Sequence, residues 1–161
     1  MQNLLKFMAL MAPVLVVACA QNQTPAQIAA DVANLAGGVA AAAQTLRNGG
    51  MLPAEQQTQV DNAVSALQAA ATAVAQATTA AAQKSATQQA VDAFNAVVAA
   101  LAGAKGIPQN VTTVLTAAEV LLPTIEALAG VPITASVNAS VTMTPEEANK
   151  ILLSAAKNLH T

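Results

Sequence analysis

The chain has 161 residues and a formal net charge of −2, and it is 55 % hydrophobic, 1 % aromatic and 9 % charged. This length predicts one domain with a modest core, and the shortage of aromatic side chains argues against a large aromatic-lined ligand pocket. The few cations are scattered along the sequence, whereas nucleic-acid binding needs them clustered, so we expect no nucleic-acid partner.

The first 20 residues are organised like an export signal. Lys6 and the amino terminus precede a charge-free apolar run from Phe7 to Ala20. This run is shorter than the roughly 20 apolar residues that span a bilayer. It ends in the sequence Val16-Val17-Ala18-Cys19, where an aliphatic, a permissive and a small residue precede the chain's only cysteine. One cysteine excludes an internal disulfide and a cysteine metal cluster, so this position needs another explanation.

The same four residues resemble the lipobox of bacterial lipoproteins, and the resemblance covers residues 1–19 alone. It implies cleavage between Ala18 and Cys19, a thioether-linked lipid on Cys19 and usually a further acyl chain on the new amino group. Several acyl chains hold a protein firmly on a membrane, whereas one does so only marginally. Because Ala20 rather than aspartate follows the cysteine, the resemblance favours the periplasmic face of the outer membrane. The competing interpretation is a secretory signal cut at Ala20, with a buried and inert cysteine.

Cleavage between Ala18 and Cys19 would leave 143 residues with a net charge of −3. The predicted organisation is a lipoprotein signal peptide over 1–18, a short polar lipidated tether over 19–23, a helical bundle over 24–130, an extended arm over 131–144 and a C-terminal helix over 145–161.

The first predicted helix begins at Thr24-Pro25-Ala26-Gln27, a capping box with proline in the first turn. Apolar residues then recur in alternating steps of four and three, which is a heptad seam. The seam consists of Ile28, Val32, Leu35, Val39, Ala42 and Leu46. Asn48-Gly49-Gly50 ends the helix, because glycine accepts the left-handed cap conformation.

A second helix is predicted from Pro53, and its seam continues through Thr78 and Ala81. Ser85-Ala86-Thr87-Gln88 matches another capping box. The heptad pattern continues after it in a shifted phase and ends at Gly103. We therefore predict a break near Lys84 and Ser85. One long bent helix over 53–103 remains the alternative, because no glycine or proline forces an interruption.

A fourth helix is predicted after Pro108, with Gly130 past its end. Pro123 lies inside it and should kink the helix or restart it, since proline removes an amide donor and clashes with the preceding turn.

Residues 131–144 alternate apolar and polar side chains, which is typical of an extended, β-like arm. Thr144-Pro145-Glu146-Glu147 then caps the C-terminal helix, and Lys157 lies near the negative end of its dipole.

Short turns between these helices predict an up-down arrangement, so the fold class is all-α: an antiparallel, alanine-rich bundle of about four helices, an extended arm and a C-terminal helix. Alanine seams contribute less burial than leucine seams, so self-association through them is a further hypothesis.

Candidate catalytic or metal-binding residues are few, and each has a simpler structural explanation. His160 is the penultimate residue, where termini fray. Glu146 and Glu147 are adjacent in a first helical turn, where carboxylates suit the dipole. Glu119 and Glu126 lie two turns apart without further ligands and are expected to be solvated.

Ser85 has no histidine or glycine elbow beside it to form a nucleophile. The triplets that begin at Asn110 and Asn138 match a glycosylation sequon, but a bacterial lipoprotein would not usually be modified there. We see no phosphate loop or dinucleotide fingerprint, so no catalytic, cofactor or metal site is predicted and the chain is expected not to be an enzyme.

The leading functional hypothesis is therefore a membrane-anchored envelope lipoprotein with a structural or protein-interaction role, in which the helical seams or the arm contact another copy or another envelope protein. The alternatives are a carrier that shelters a lipid or other apolar ligand between helices, a phage-encoded envelope lipoprotein that acts in lysis or in blocking infection, and a protein that perturbs membranes.

Overall fold

A computed structural model describes residues 24–102, 104–133 and 142–158. This part of the chain contains five helices and no strand, which confirms the all-α prediction. The helices are α1 Pro25–Asn48, α2 Ala54–Gln76, α3 Ala80–Leu101, α4 Gln109–Ala129 and α5 Pro145–Lys157. The predicted signal segment with Cys19 and the tether, the middle of the predicted arm and the last three residues lie outside the described residues.

The first four helices form a ring. Each packs against the next, α4 returns to α1, and α5 lies against both α1 and α4. Arg47 near the end of α1 pairs with Asp61 near the start of α2, as antiparallel neighbours require. Gln83 in the first turn of α3 donates its amide to the carbonyl oxygen of Pro25 at 2.9 Å, so α1 and α3 begin at the same end of the bundle. Because α5 contacts both α1 and α4, the C-terminal helix is part of the bundle.

Most of the core side chains are alanine or valine, and leucines, two isoleucines and Phe94 supply the larger ones. The predicted seam of α1 is confirmed, because all six of its residues from Ile28 to Leu46 are buried. The largest buried side chains include Phe94 on α3 and Ile125 on α4. Because alanine buries little area, helices in such a core must approach closely to exclude water.

The predicted helix ends are largely confirmed. Gln27 accepts a hydrogen bond from the Thr24 amide at 2.8 Å, which closes the predicted box at the start of α1. Gly50 and Gly130 follow α1 and α4 with φ of 61° and 65°, the left-handed conformation that favours glycine. The turn after α4 is closed by a hydrogen bond of 2.9 Å from the Val131 amide to the Glu126 carbonyl oxygen.

The described residues between 53 and 102 form two helices, α2 and α3, but the predicted position of the break between them is wrong. Helix α2 ends at Gln76, and Thr79 caps α3 by accepting a hydrogen bond from the Ala82 amide at 3.1 Å. Thr87 lies within α3, where its buried hydroxyl donates to the Gln83 carbonyl at 2.9 Å. Threonine is a weak helix former and a good cap, and the chain uses the Thr78-Thr79 pair for the break instead of Ser85.

The extension of the α2 seam through Thr78 and Ala81 is also wrong, since both residues are exposed. At Pro123 the predicted restart is wrong, because α4 is one helix from Gln109 to Ala129. Proline removes only one backbone hydrogen bond there, and the contacts of α4 with its neighbours hold the helix on both sides. The described ends of the arm, 131–133 and 142–144, have no regular secondary structure.

The cap at Thr79 can be compared with Ser85, which was the cap expected from the sequence. Thr79→Ala should lower the free energy of unfolding by about 1 kcal/mol, because the first turn of α3 loses its side-chain acceptor. Ser85→Ala, at an exposed position inside the helix, should change it by less than about 0.5 kcal/mol. Urea unfolding of the two variants measures the difference, and a larger loss in Ser85→Ala would contradict the assignment.

Candidate functional site

The residues that the sequence singled out for processing and lipidation, Ala18 and Cys19, lie outside the described residues, and so does His160. Ser85 is exposed on α3, and Asn110 lies in the first turn of α4. The structure brings together a different set of residues on the face where α5 meets α1 and α4. This face is the candidate functional site.

Helix α5 begins with a capping box that the sequence predicted. Thr144 donates its backbone amide to Glu147 Oε2 at 2.9 Å, and its hydroxyl oxygen accepts from the Glu147 amide at 3.3 Å. The bond from the Thr144 amide, with a second from its hydroxyl, lowers the pKa of Glu147. Glu146 pairs instead with Lys150 one turn later, at 3.1 Å in an exposed position where an ion pair contributes little.

Two glycines of α1 make the seat for α5. A Cβ atom added at Gly37 would lie 2.8 Å from Ala156 Cβ, and one added at Gly38 would lie 2.6 Å from Leu152 Cδ2 and 3.1 Å from Leu152 Cα. Leu152 is fully buried in this seat. Glycine costs roughly 0.5–1 kcal/mol within a helix relative to alanine, so a Gly-Gly pair in mid-helix needs a compensating contact. The close approach of α5 provides it.

Two amide side chains and one carboxyl group form a chain of hydrogen bonds that joins the same two helices one turn earlier. Asn34 Nδ2 donates to Asn149 Oδ1 at 2.8 Å, and Asn149 Nδ2 donates to Asp31 Oδ1 at 2.9 Å. These bonds are specific for one register of α5 on α1, because a shift by one residue would remove both. Burial of Asp31 between the helices raises its pKa, and the hydrogen bond from Asn149 opposes that shift without cancelling it.

An open groove of about 580 Å³ lies further along the same face, between the second half of α1, the first half of α4 and the second half of α5. Its lining is mainly apolar or uncharged. The lining residues are Ala41, Ala42, Thr45, Asn110, Val111, Thr113, Val114, Lys150, Ile151, Ser154, Ala155 and Asn158. In size it falls within the range of small-molecule sites, which is about 300–1,000 Å³.

The expectation that Glu126 is solvated is wrong. Glu126 is fully buried, whereas Glu119 is half-buried. Helix α4 contacts α1, α3 and α5, so its buried surface is wider than a single heptad seam and includes this position. No buried side-chain polar atom in the described part of the chain lacks a hydrogen-bond partner, so the Glu126 carboxyl group is satisfied.

Two further observations concern metal ligands and helix hydropathy. Within the described ranges, no three His, Cys, Asp or Glu side chains come together as a metal site. Helices α1 and α4 are long and apolar enough to cross a membrane by length and composition alone, and half of each apolar window is buried inside the bundle.

Comparisons with models of known families, with curated proteins and with solved structures find no match to this chain. The site is therefore defined by its own residues. Sequence reasoning missed it, although the Gly37-Gly38 pair inside a heptad seam was a usable signal, since a helix without a close neighbour would carry alanine there.

The close approach can be tested by filling it. Gly37→Ala should lower the free energy of unfolding by about 1–3 kcal/mol, because a methyl group meets the Ala156 side chain below contact distance. In an unhindered helix the same change would raise stability by roughly 0.5–1 kcal/mol. Chemical unfolding of wild type and variant gives the sign.

Ala156→Gly supplies the matched control. Combined with Gly37→Ala it removes the opposing methyl group, so the double variant should be more stable than the sum of the two single changes predicts. Strict additivity would show that the two positions do not touch.

The raised pKa of Asp31 predicts a pH dependence. Its folded pKa lies above the ordinary value of 3.8, so its stabilising contribution is fully present below that value and is lost as pH rises through the folded pKa. Asp31→Asn keeps an acceptor oxygen for Asn149 and removes the titration. We expect the variant to gain stability relative to wild type between acidic and neutral pH. A difference in melting temperature that is constant across this range would contradict the assignment.

Proposed function

We propose that the protein is a bacterial envelope lipoprotein, anchored by lipid on Cys19, whose helical body has a structural or protein-interaction role. The observation that carries the proposal is the sequence Val16-Val17-Ala18-Cys19 at the end of a short apolar run that follows Lys6. Charge, apolar run and cysteine occur in the order that lipoprotein processing requires. The competing interpretation, a secretory signal cut at Ala20, gives the only cysteine no role.

The position of the first helix determines how the body would lie relative to an anchor at Cys19. Thr24 caps α1 five residues after Cys19, so the intervening chain can extend over at most about 18 Å. A protein held at Cys19 would therefore keep the start of α1 close to the membrane surface. That end of the bundle also contains the end of α4 and the start of α5, which run beside it.

The same orientation would turn the groove away from the membrane. Its α1 residues begin at Ala41, sixteen residues after Pro25 along the helix, a rise of about 24 Å. Such an arrangement suits a body that meets partners in the envelope rather than one buried in lipid.

Cys19→Ser tests the proposal, with Ala20→Ser as the matched control because it changes the neighbouring residue and leaves the cysteine in place. Wild type and Ala20→Ser should lose residues 1–18, gain the mass of acyl chains and sediment with membranes. Cys19→Ser should gain no acyl mass and leave the membrane fraction. Intact-mass measurement and fractionation of the cells give both results.

If Cys19→Ser fractionates like wild type and neither protein carries acyl mass, the proposal of a lipid anchor at Cys19 is wrong. Cleavage after Ala20 without added mass would instead support an ordinary secretory signal.

A further inference from the structure

We propose that one end of the bundle rests on the lipid surface that holds Cys19, with Ile133 in the interface between headgroups and acyl chains. The partner is a phospholipid bilayer. The inference rests on the proposed function, because lipid on Cys19 brings the bundle to the membrane. It adds which part of the body then touches the membrane.

Four segments form this end of the bundle, which we call the proximal end. The hydrogen bond from Gln83 to Pro25 places the turn between α2 and α3 beside the start of α1. A cleft at the same end is lined by residues of α1, α4 and α5, among them Gln27, Thr124 and Pro145. The four segments are 24–27, 76–82, 129–133 and 144–147.

The end of α4 projects beyond the start of α1 on this side. Thr124 of α4 and Gln27 of α1 line one cleft, so they lie at a similar height along the bundle. Helix α4 continues for five residues past Thr124, a rise of about 8 Å, whereas α1 begins two residues before Gln27, a rise of about 3 Å. Pro132 and Ile133 follow directly, and three residues keep Ile133 within about 11 Å of Gly130.

Ile133 is 64 % exposed, more than any other large apolar side chain in the described part of the chain. A single exposed isoleucine is ordinary on a protein surface, so its place decides its meaning. The tether from Cys19 to Thr24 spans at most about 18 Å, which keeps the proximal end at the membrane. Transfer of the Ile133 side chain from water into the lipid interface is favourable there.

The proximal end is poor in charge, as a lipid contact requires. Residues 62–83, which include most of α2, the following turn and the start of α3, contain no charged residue, and neither do residues 127–133. The opposite end of the bundle carries Arg47, Glu55 and Lys105, all exposed. Because charge is costly to remove from water, the proximal end is the better matched of the two to lipid.

The carboxylates at the start of α5 already have partners. Glu147 accepts a hydrogen bond from the Thr144 amide at 2.9 Å, and Glu146 pairs with Lys150 at 3.1 Å. Lys84 is exposed in the first turns of α3, where its ammonium group can extend to a lipid phosphate. These groups suit the headgroup layer, so the contact is shallow.

The contact can be measured with a single fluorescent reporter, because the chain contains no tryptophan and no tyrosine. Ile133→Trp places the reporter at the proximal end. Met51→Trp, at an exposed apolar residue that follows α1, is the matched control at the opposite end. Each variant, with its acyl chains on Cys19, is reconstituted in phosphatidylethanolamine–phosphatidylcholine vesicles in which part of the lipid carries bromine on its acyl chains.

The emission of Ile133→Trp should shift to shorter wavelength, be quenched by the brominated lipid and resist quenching by iodide. Met51→Trp should show none of these effects, because the 24 residues of α1 hold it about 36 Å further from the membrane. Equal quenching of the two reporters, by brominated lipid or by iodide, would overturn the proposal.

Tryptophan itself favours membrane interfaces, so a second reporter leaves the native isoleucine in place. Thr78→Trp, at an exposed position of the turn between α2 and α3, should be quenched by brominated lipid. Adding Ile133→Asp should reduce that quenching, since a carboxylate resists transfer into lipid. Leu153→Asp, at an exposed apolar position of α5, is the matched control and should not. Equal effects of the two aspartate variants would contradict the proposal.

Intact mass of the same samples separates the two possible failures. Acyl mass on Cys19 without quenching of Ile133→Trp overturns this inference and leaves the anchor in place. Absence of acyl mass overturns the anchor, and with it the placement of this end on lipid.

Discussion

The close contact between α1 and α5 at Gly37 and Gly38 sets the geometry of the candidate functional site. Side chains normally hold packed helices 8–10 Å apart, and here the missing methyl groups let Ala156 and Leu152 reach the α1 backbone. Because α5 is seated this closely and parallel to α1, Asn149 comes within hydrogen-bond distance of Asn34 and Asp31. The groove is the open space between α1, α4 and α5 on the far side of Gly37 and Gly38 from the start of α1.

Small side chains let the helices pack closely, and they also leave α5 dependent on polar contacts. Because most of the core side chains are alanine or valine, the orientation of α5 depends on hydrogen bonds and caps as well as on burial. The pKa values of Asp31 and Glu147, two carboxyl groups at the α1–α5 junction, are shifted in opposite directions. Burial raises the pKa of Asp31, and hydrogen bonds from Thr144 lower the pKa of Glu147. Lowering the pH therefore increases the contribution of Asp31 to the free energy of unfolding and decreases that of Glu147.

The sequence predicted those parts of the fold that depend on local chemistry. The capping box at Thr144 and the glycine after α4 could be recognised from residues adjacent in sequence. The break before α3 was misplaced because Thr79 and Ser85 offer similar caps, and only the packing of Gln83 and Thr87 against α1 and the core decides between them. The burial of Glu126 was missed for the same kind of reason, since it depends on how many helices surround α4.

The candidate site could not be derived from the sequence, because its residues come from three helices whose relative placement a heptad pattern does not specify. The lipid-anchor hypothesis has the opposite character. It rests on adjacent residues around Cys19 and needs no tertiary structure. The proposed function and the groove are therefore supported by different observations.

The central structural claim is that α5 is held in the bundle by the glycine seat. Amide hydrogen exchange of the full chain and of Gly38→Val tests it most directly. The wild type should protect the amides of α5 together with those of α1. Gly38→Val should lose protection in α5 while α2 and α3 keep theirs. Rapid exchange of α5 in the wild type, or equal protection of α5 in both proteins, would contradict the claim.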